Sequence, residues 1–162
     1  MKVWLIEDEI KVQVALWYYK KLKPQCTEDE IETTLKRLIK QGYKIAYLND
    51  GADDYGIAGF FLRENFSHGK HLHIEDLLTK GEIQSHNENY LNNDVYSHVD
   101  PDEYYGGIFL IKWLKKYARE NGCSHIKIDS SVNEVYSHRY LLKTGFDIKA
   151  HACSLLLPQN ES

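Results

Sequence analysis

The chain of 162 residues has a formal net charge of −4 and 43% hydrophobic residues, which is typical of an ordinary globular domain. The acidic balance argues against a nucleic-acid-binding surface, and no apolar run is long enough to predict a membrane span. The N-terminus turns acidic at Glu7-Asp8, too early for a secretory signal, so a cytoplasmic protein is expected. Cys26, Cys123 and Cys153 are too widely spaced to predict a disulfide framework or a zinc site.

The first 41 residues predict a strand followed by two helices. Residues 3–6 form the strand. Residues 7–22 predict a helix in which three apolar side chains recur on one face and are expected to be buried: Ile10, Val14 and Trp17. Thr27 and Glu30 have the spacing of a capping box, which predicts a second helix over residues 28–41.

Three strands are expected to follow in antiparallel order. Residues 43–48 alternate in polarity, and residues 49–54 are rich in Asp, Asn and Gly, which predicts a turn. Residues 55–62 form the return strand of the hairpin, and residues 71–78 form the next strand.

A glycine pair, Gly106-Gly107, precedes a helix that is predicted over residues 108–118 and ends at Asn121-Gly122. A glycine turn at a helix N-terminus presents free backbone N–H groups at the positive end of the helix dipole, which suits a phosphate group. The pair therefore predicts either a phosphate-bearing cofactor or a simple turn of the chain.

The remaining residues predict a strand, a helix and a strand. Residues 124–130 should run parallel to the strand at 71–78, because a crossover helix separates the two. Residues 135–143 predict a short helix, and residues 146–157 a final strand. Residues 158–162 are expected to be a frayed tail.

This order of elements resembles the GNAT superfamily of N-acetyltransferases. Five segments carry the resemblance, in the order and spacing of the family: 71–79, 112–123, 129–132, 137–140 and 145–146. The resemblance implies an α/β (α+β) fold in a single domain over residues 1–162. Its mixed central sheet would have antiparallel N-terminal strands, a parallel pair of fourth and fifth strands, and about four flanking helices.

The resemblance also implies acetyl-CoA as a co-substrate. The family's pyrophosphate loop would begin at Gln84 when counted from the preceding strand, and at Asp102 when counted back from the following helix. The difference predicts an inserted loop over residues 87–105. Seven residues are implied to face the cofactor, the first two through their backbone: Leu77, Leu78, Gln84, Asn87, Gly106, Gly107 and His138.

Strict strand alternation divides the side chains at 72–78 into two sets: His73, Glu75 and Leu77 on one face, and Leu72, Ile74, Asp76 and Leu78 on the other. An ionised acid inside an apolar strand costs free energy unless it is paired with a cation or exposed to water. Glu75 is therefore either a salt-bridged exposed acid or a functional one. The resemblance implies that Glu75 is the general base. His73 is the reserve base, because a histidine titrates near neutral pH.

The resemblance implies a tyrosine as general acid in the last helix, at the position that Leu141 occupies here. Tyr140 lies one residue away, about 100° round a helix, and is the candidate acid. His138 is either a cofactor contact or part of a solvated helix face.

The inserted loop carries five acidic residues and four tyrosines, with no Lys or Arg. Acidic and aromatic side chains together suit a cationic amine, through ion pairing and cation–π contacts. The alternative is a solvated loop without a ligand.

The sequence therefore predicts an N-acetyltransferase that acetylates a primary amine of a small-molecule or peptide acceptor by direct attack, with help from a general base. No metal, nucleic acid or membrane partner is expected. The alternatives are a catalytically inactive GNAT-like module that binds CoA or a protein, and an unrelated α/β interaction protein. The apolar residues 152–157 favour a homodimer.

Overall fold

The computed structural model describes residues 1–79, 101–130, 138, 141–150 and 152–157, without the side chains of 101–105. It divides into two compact units, Met1–Ile128 and Asp129–Ser162. The first unit contains all the strands that the structure describes. The single domain over 1–162 stays a prediction.

One mixed sheet of five strands forms the centre of the first unit, in the order β1-β2-β3-β4-β5. Neighbouring strands from β1 to β4 are antiparallel, and β4 and β5 are parallel, as the sequence predicted. The strands have these bounds: β1 Lys2–Ile6, β2 Lys44–Asn49, β3 Asp54–Asn65, β4 Gly69–Thr79 and β5 His125–Ile128.

The helices of this unit are a 3-10 helix, Glu9–Ala15, and three α-helices: α1 Leu16–Leu22, α2 Glu28–Lys40 and α3 Pro101–Glu120. The predicted capping box is present, since Thr27 accepts from the Glu30 N–H and the Glu30 carboxylate accepts from the Thr27 N–H. Residues Ile31, Leu35 and Ile39 of α2 are buried, as the apolar periodicity indicated.

The prediction of a single helix with a buried Ile10, Val14 and Trp17 face is wrong. These side chains are 86%, 47% and 50% exposed. The 3-10 helix advances three residues per turn instead of 3.6, so the apolar residues at α-helical spacing rotate away from the core. Other residues of the same segment are buried in their place: Val12, Ala15, Leu16, Tyr18 and Tyr19.

Helix α3 begins seven residues earlier than the sequence indicated, at Pro101 rather than Ile108. Gly106 and Gly107 therefore lie inside the helix and do not open it. A Cβ on Gly106 would lie 3.3 Å from the Cβ of Tyr55, so this glycine allows α3 to approach β3 closely. Residues 101–105, predicted to end an inserted loop, belong to the helix.

The two faces of the sheet are buried under different helices. The 3-10 helix, α1 and α2 share a cluster of buried residues with one face, which includes Tyr43, Ile45, Ile57 and Leu78. On the other face, the Phe60 ring lies 5.5 Å from Tyr117 and 6.5 Å from Trp113, both in α3. The sheet is thus the middle layer of three.

The second unit is helical at His138 and at residues 141–143, and Gly145 follows with a φ of 95°. The Gly145 N–H donates to the carbonyl of Leu142, as in a helix C-terminus closed by a left-handed glycine. The predicted strand at 146–157 is wrong for the described residues 146–150 and 152–157, which form no strand. In that stretch Ile148, Leu155, Leu156 and Leu157 are exposed.

Candidate functional site

A bulge in β4 places two consecutive acids on one face of the sheet. The register with β3 runs Phe60 opposite Ile74 and then Gly59 opposite Asp76, which leaves Glu75 as the extra residue. The Glu75 carboxylate accepts a hydrogen bond from Arg63, and the Asp76 carboxylate accepts one from the Tyr43 hydroxyl. Arg63 and Tyr43 both lie on the face of the sheet that α1 and α2 cover.

The strict alternation predicted for this strand therefore holds as far as Glu75 and is wrong from Asp76 onward. Asp76 shares the face of His73 and Glu75, and Leu78 follows it into the cluster under α1 and α2. Leu77, which pairs with Ala58, turns to the opposite side. One extra residue reverses the side on which every later side chain lies.

Strand β4 extends beyond its pairing with β5. The last parallel pair is Ile74 and Ile128, whereas β4 continues to Thr79. Within the part of the chain that the structure describes, no strand pairs with residues 75–78 on that side. Backbone N–H and C=O groups at such an edge are available to a ligand.

Asp76 is the more buried of the two acids. Its Oδ2 accepts a hydrogen bond from the hydroxyl of Tyr43, whose oxygen lies 2.6 Å from that of Tyr19. Burial raises the pKa of Asp76, and the bond from Tyr43 lowers it by less. Burial also raises the pKa of Tyr19 and Tyr43, so both hydroxyls remain protonated at neutral pH.

Glu75 lies at the surface and is paired. Its Oε1 accepts from Arg63 at 2.7 Å and lies 4.0 Å from Nδ1 of His73. The guanidinium of Arg63 also covers the ring of Phe61, 4.6 Å from its centroid. The arrangement has the form of the salt-bridged exposed acid that the sequence offered as the alternative for Glu75.

The residues implied to contact a cofactor are placed as follows. Leu77 and Leu78 lie on the stretch of β4 beyond its last β5 pair. Gly106 and Gly107 are buried within α3, and His138 is a half-buried helical residue of the second unit. Gln84, Asn87 and Tyr140 lie outside the described residues, as do residues 87–100 of the predicted insertion.

Across residues 1–79, 101–130 and the described part of the C-terminal unit, no three His, Cys, Asp or Glu side chains are grouped to hold a metal ion. No helix in this part of the chain is long and apolar enough to cross a membrane.

Asp76, Tyr43 and Tyr19 were not predicted from the sequence as residues of the candidate site. One signal was available: two adjacent acids inside an apolar strand cannot both avoid the core if side chains alternate strictly. A bulge resolves that conflict, and Gly59 marks its position on the neighbouring strand.

Solved structures of acetyltransferases share this architecture over nearly the whole chain. A probable acetyltransferase superposes with a TM-score of 0.69 at 12% identity, covering 100% of both chains. The aminoglycoside N-acetyltransferase AAC(6')-Iy, in complex with the bisubstrate analogue CoA-S-monomethyl-acetylneamine, gives a TM-score of 0.66 at 13% identity, covering 98% of each chain. The aminoglycoside acetyltransferase meta-AAC0020 from an uncultured soil metagenomic sample, in complex with sisomicin, gives 0.64 at 10% identity, covering 98% of this chain and 96% of its own.

At these low identities, the similarity establishes the fold. The chain has the fold of the GNAT-type N-acetyltransferases, which confirms the fold class that the sequence resemblance implied. No model of a known protein family matches the sequence. A search of curated proteins gives no significant match either.

Proposed function

We propose that the protein is an N-acetyltransferase that moves the acetyl group of acetyl-CoA to a primary amine of a cationic acceptor. The observation that carries this proposal is the pair of carboxylates at the β4 bulge, beside the point where β4 separates from β5. Amine acetylation needs an acceptor for the proton of the amine and donors for the carbonyl oxygen. A carboxylate next to the stretch of β4 that β5 does not pair with could provide both.

The stretch of β4 beyond its last pair with β5 fits an acyl thioester. Acetyl-CoA supplies the acetyl group already activated as a thioester. Because successive N–H groups of a strand point to opposite edges, one of the two, Leu77 or Leu78, would donate its backbone N–H to the carbonyl oxygen, where negative charge develops during attack. Gly106, Gly107, Gln84, Asn87 and His138 remain the proposed contacts of CoA, and the glycines would act from within α3.

Asp76 is better suited than Glu75 to receive the proton. Its pKa is raised by burial, so its proton affinity lies closer to that of a base working near neutral pH. The Glu75 carboxylate is already engaged by Arg63. We therefore assign the base to Asp76 and give Glu75 the role of attracting the positive charge of the acceptor. Tyr140 stays the proposed acid, and His73 stays the reserve base.

A cationic amine suits the charge of the site. Both side chains at the bulge are acids, and the aromatic rings of Tyr43 and Phe61 adjoin them. Two proteins of the same fold were solved with aminoglycoside-type compounds, an acetylneamine analogue and sisomicin, which are amines of this kind. Small polyamines and basic peptides share that chemistry. We expect the protein to act in the cytoplasm, and a homodimer stays a prediction.

A GNAT-like module that binds CoA without transferring acetyl groups is the second candidate. The position of Gly106 and Gly107 favours it, because both lie within α3 instead of forming a free glycine loop at its start. That placement departs from the pyrophosphate site implied by the resemblance.

Calorimetry with acetyl-CoA tests the proposal first, with desulfo-CoA as the control for thioester recognition. Transfer is then measured as free thiol release with sisomicin, spermidine and a basic peptide as acceptors. Micromolar binding with turnover on any of these amines is the expected result. Binding without turnover selects the inactive module, and no binding at millimolar cofactor overturns both.

A further inference from the structure

The two tyrosine hydroxyls behind Asp76 form a chain with a fixed direction. The carboxylate of Asp76 has only acceptor atoms when it is ionised, so the Tyr43 hydroxyl donates to it. The oxygen of Tyr43 is then the acceptor for the hydroxyl of Tyr19, 2.6 Å away. The donor order is Tyr19, Tyr43, Asp76, and each bond polarises the next.

The chain occupies a space that Gly59 leaves open. Gly59 is the β3 residue opposite Asp76, at the bulge. A Cβ at this position would overlap the Tyr43 hydroxyl and lie 2.6 Å from the hydroxyl oxygen of Tyr19. The missing side chain, the bulge and the two hydroxyls therefore belong to one arrangement, assembled from α1, β3, β4 and the residue just before β2.

Few other charges face Asp76. Glu75 raises the pKa of Asp76 and Lys23, at the end of α1, lowers it, and both effects rank below burial and the Tyr43 hydrogen bond. Arg63 and His73 both adjoin the Glu75 carboxylate. Among the described side chains, the Tyr43 hydroxyl is the nearest group that stabilises the charged form.

We propose that Tyr43 and Tyr19 are positioning residues that orient the Asp76 carboxylate and set its proton affinity through this donor chain. The inference rests on the proposed function where it concerns catalysis, but the chain itself is a property of the folded protein. Without the Tyr43 donor, the buried carboxylate would hold its proton more tightly. The base would then be protonated, and inactive, at pH values where the native enzyme works.

The test is a titration of the Asp76 carboxyl carbon by NMR in protein labelled with isotopic aspartate. The Asp76→Asn variant identifies the signal. In Tyr43→Phe we expect the titration midpoint of Asp76 to rise by about one pH unit, because a hydrogen bond to a charged group is lost. In Tyr19→Phe, which removes only the polarising donor, we expect a rise of a few tenths of a unit, on the order of a quarter of the first effect.

Tyr18→Phe is the matched control. It removes a hydroxyl from the adjacent core tyrosine, and no hydrogen-bond partner reaches that hydroxyl among the described residues. The Asp76 midpoint should stay unchanged in this variant. Equal midpoints in Tyr43→Phe and Tyr18→Phe would overturn the proposal. If Tyr43→Phe fails to fold, an unchanged midpoint in Tyr19→Phe would also overturn it.

Kinetics provide a separate measurement. The acid limb of the kcat profile should move to higher pH by the shift that NMR gives, with the rate at high pH largely retained. A protein with no transferase activity but with a shifted Asp76 midpoint would refute the proposed function and support the donor chain. Normal transferase activity, with no shift of the Asp76 midpoint in Tyr43→Phe or Tyr19→Phe, would support the proposed function and refute the donor chain.

Discussion

Both faces of the sheet bury an aromatic side chain near the β4 bulge, but the two faces carry different chemistry. On the α3 face, Phe60 is 0% exposed and packs edge-on against Tyr117 and Trp113. On the opposite face, Tyr43 is 1% exposed and its ring also packs against an aromatic side chain, Phe61. Its hydroxyl, however, reaches a carboxylate that burial holds above its usual pKa.

The difference shows that depth alone does not separate the core from the site. Apolar side chains are stabilised by close packing alone, whereas a buried carboxylate needs hydrogen-bond donors at particular positions. The bulge at Glu75 supplies the carboxylate and Gly59 makes room for its donors. Stability should therefore depend mainly on the α3 face at this point, and activity on the α1/α2 face.

The largest effect is expected from Asp76→Asn. We expect kcat to fall about 1000-fold, because the base is removed from a site that uses it in proton transfer. The folded protein should be at least as stable at neutral pH, since the cost of burying an ionised group disappears. The folded-state pKa of Asp76 is raised, so its contribution to stability is lost as pH rises through that pKa. Activity assays measure the fall in kcat, and thermal melts over a range of pH measure the change in stability.

Glu75→Gln is the isosteric control for that experiment. It should leave the pH dependence of kcat in place and raise KM for a cationic acceptor, because it removes only an attractive charge. A larger loss of kcat in Glu75→Gln than in Asp76→Asn would return the base to Glu75, as the sequence resemblance implied.

The opposite pattern is expected from Phe60→Ala on the α3 face. Truncating a fully buried ring should lower the free energy of unfolding by about 3–4 kcal/mol, through lost burial and the cavity left behind. The kcat of the protein that remains folded should change little. Urea unfolding measures the first quantity, and Phe66→Ala, at a fully exposed position, serves as the unaffected control.

Gly59→Ala is expected to affect both stability and activity. The added methyl would displace the Tyr43 hydroxyl from Asp76, so we expect a loss of about 1–3 kcal/mol of stability and about tenfold in kcat at neutral pH. Gly56→Ala adds a methyl 2.6 Å from the Leu78 carbonyl, a comparable crowding away from the tyrosines. It should destabilise without moving the acid limb of the pH profile, and a shift of that limb in both variants would refute the link to Asp76.

Local sequence signals predicted much of the fold. The capping box at Thr27, the alternation in residues 43–48 and the turn residues at 49–54 all act within a few residues. The parallel pairing of β4 with β5 follows from one crossover helix.

The features that were missed depend on geometry that no local signal fixes. A 3-10 segment changes the buried face of the first helix, and a bulge changes the buried side of β4. The start of α3 had a signal that the glycine pair obscured: Asp100 precedes Pro101, and Asp102 and Glu103 follow, which is typical of a helix N-terminus. Tyr19, Tyr43 and Asp76 are far apart in the chain, so only the folded sheet brings them together.

The smallest effect should come from Arg63→Gln, which separates the exposed acid from its partner. An exposed ion pair contributes less than about 1 kcal/mol, so the melting temperature should change by no more than about 2 °C. The freed Glu75 carboxylate should attract a cationic acceptor more strongly, and KM should fall about threefold at low salt and less at high salt.

Lys36→Gln breaks a similar pair with Glu32 on α2, where the two charged atoms lie 2.6 Å apart. It should change the melting temperature by a similar small amount and leave KM as it is. If both variants lower KM alike, the effect belongs to the net charge of the protein and not to Glu75. If only Arg63→Gln does so, and Asp76→Asn still abolishes turnover, the two acids of the bulge have separate roles: one attracts the amine and the other takes its proton.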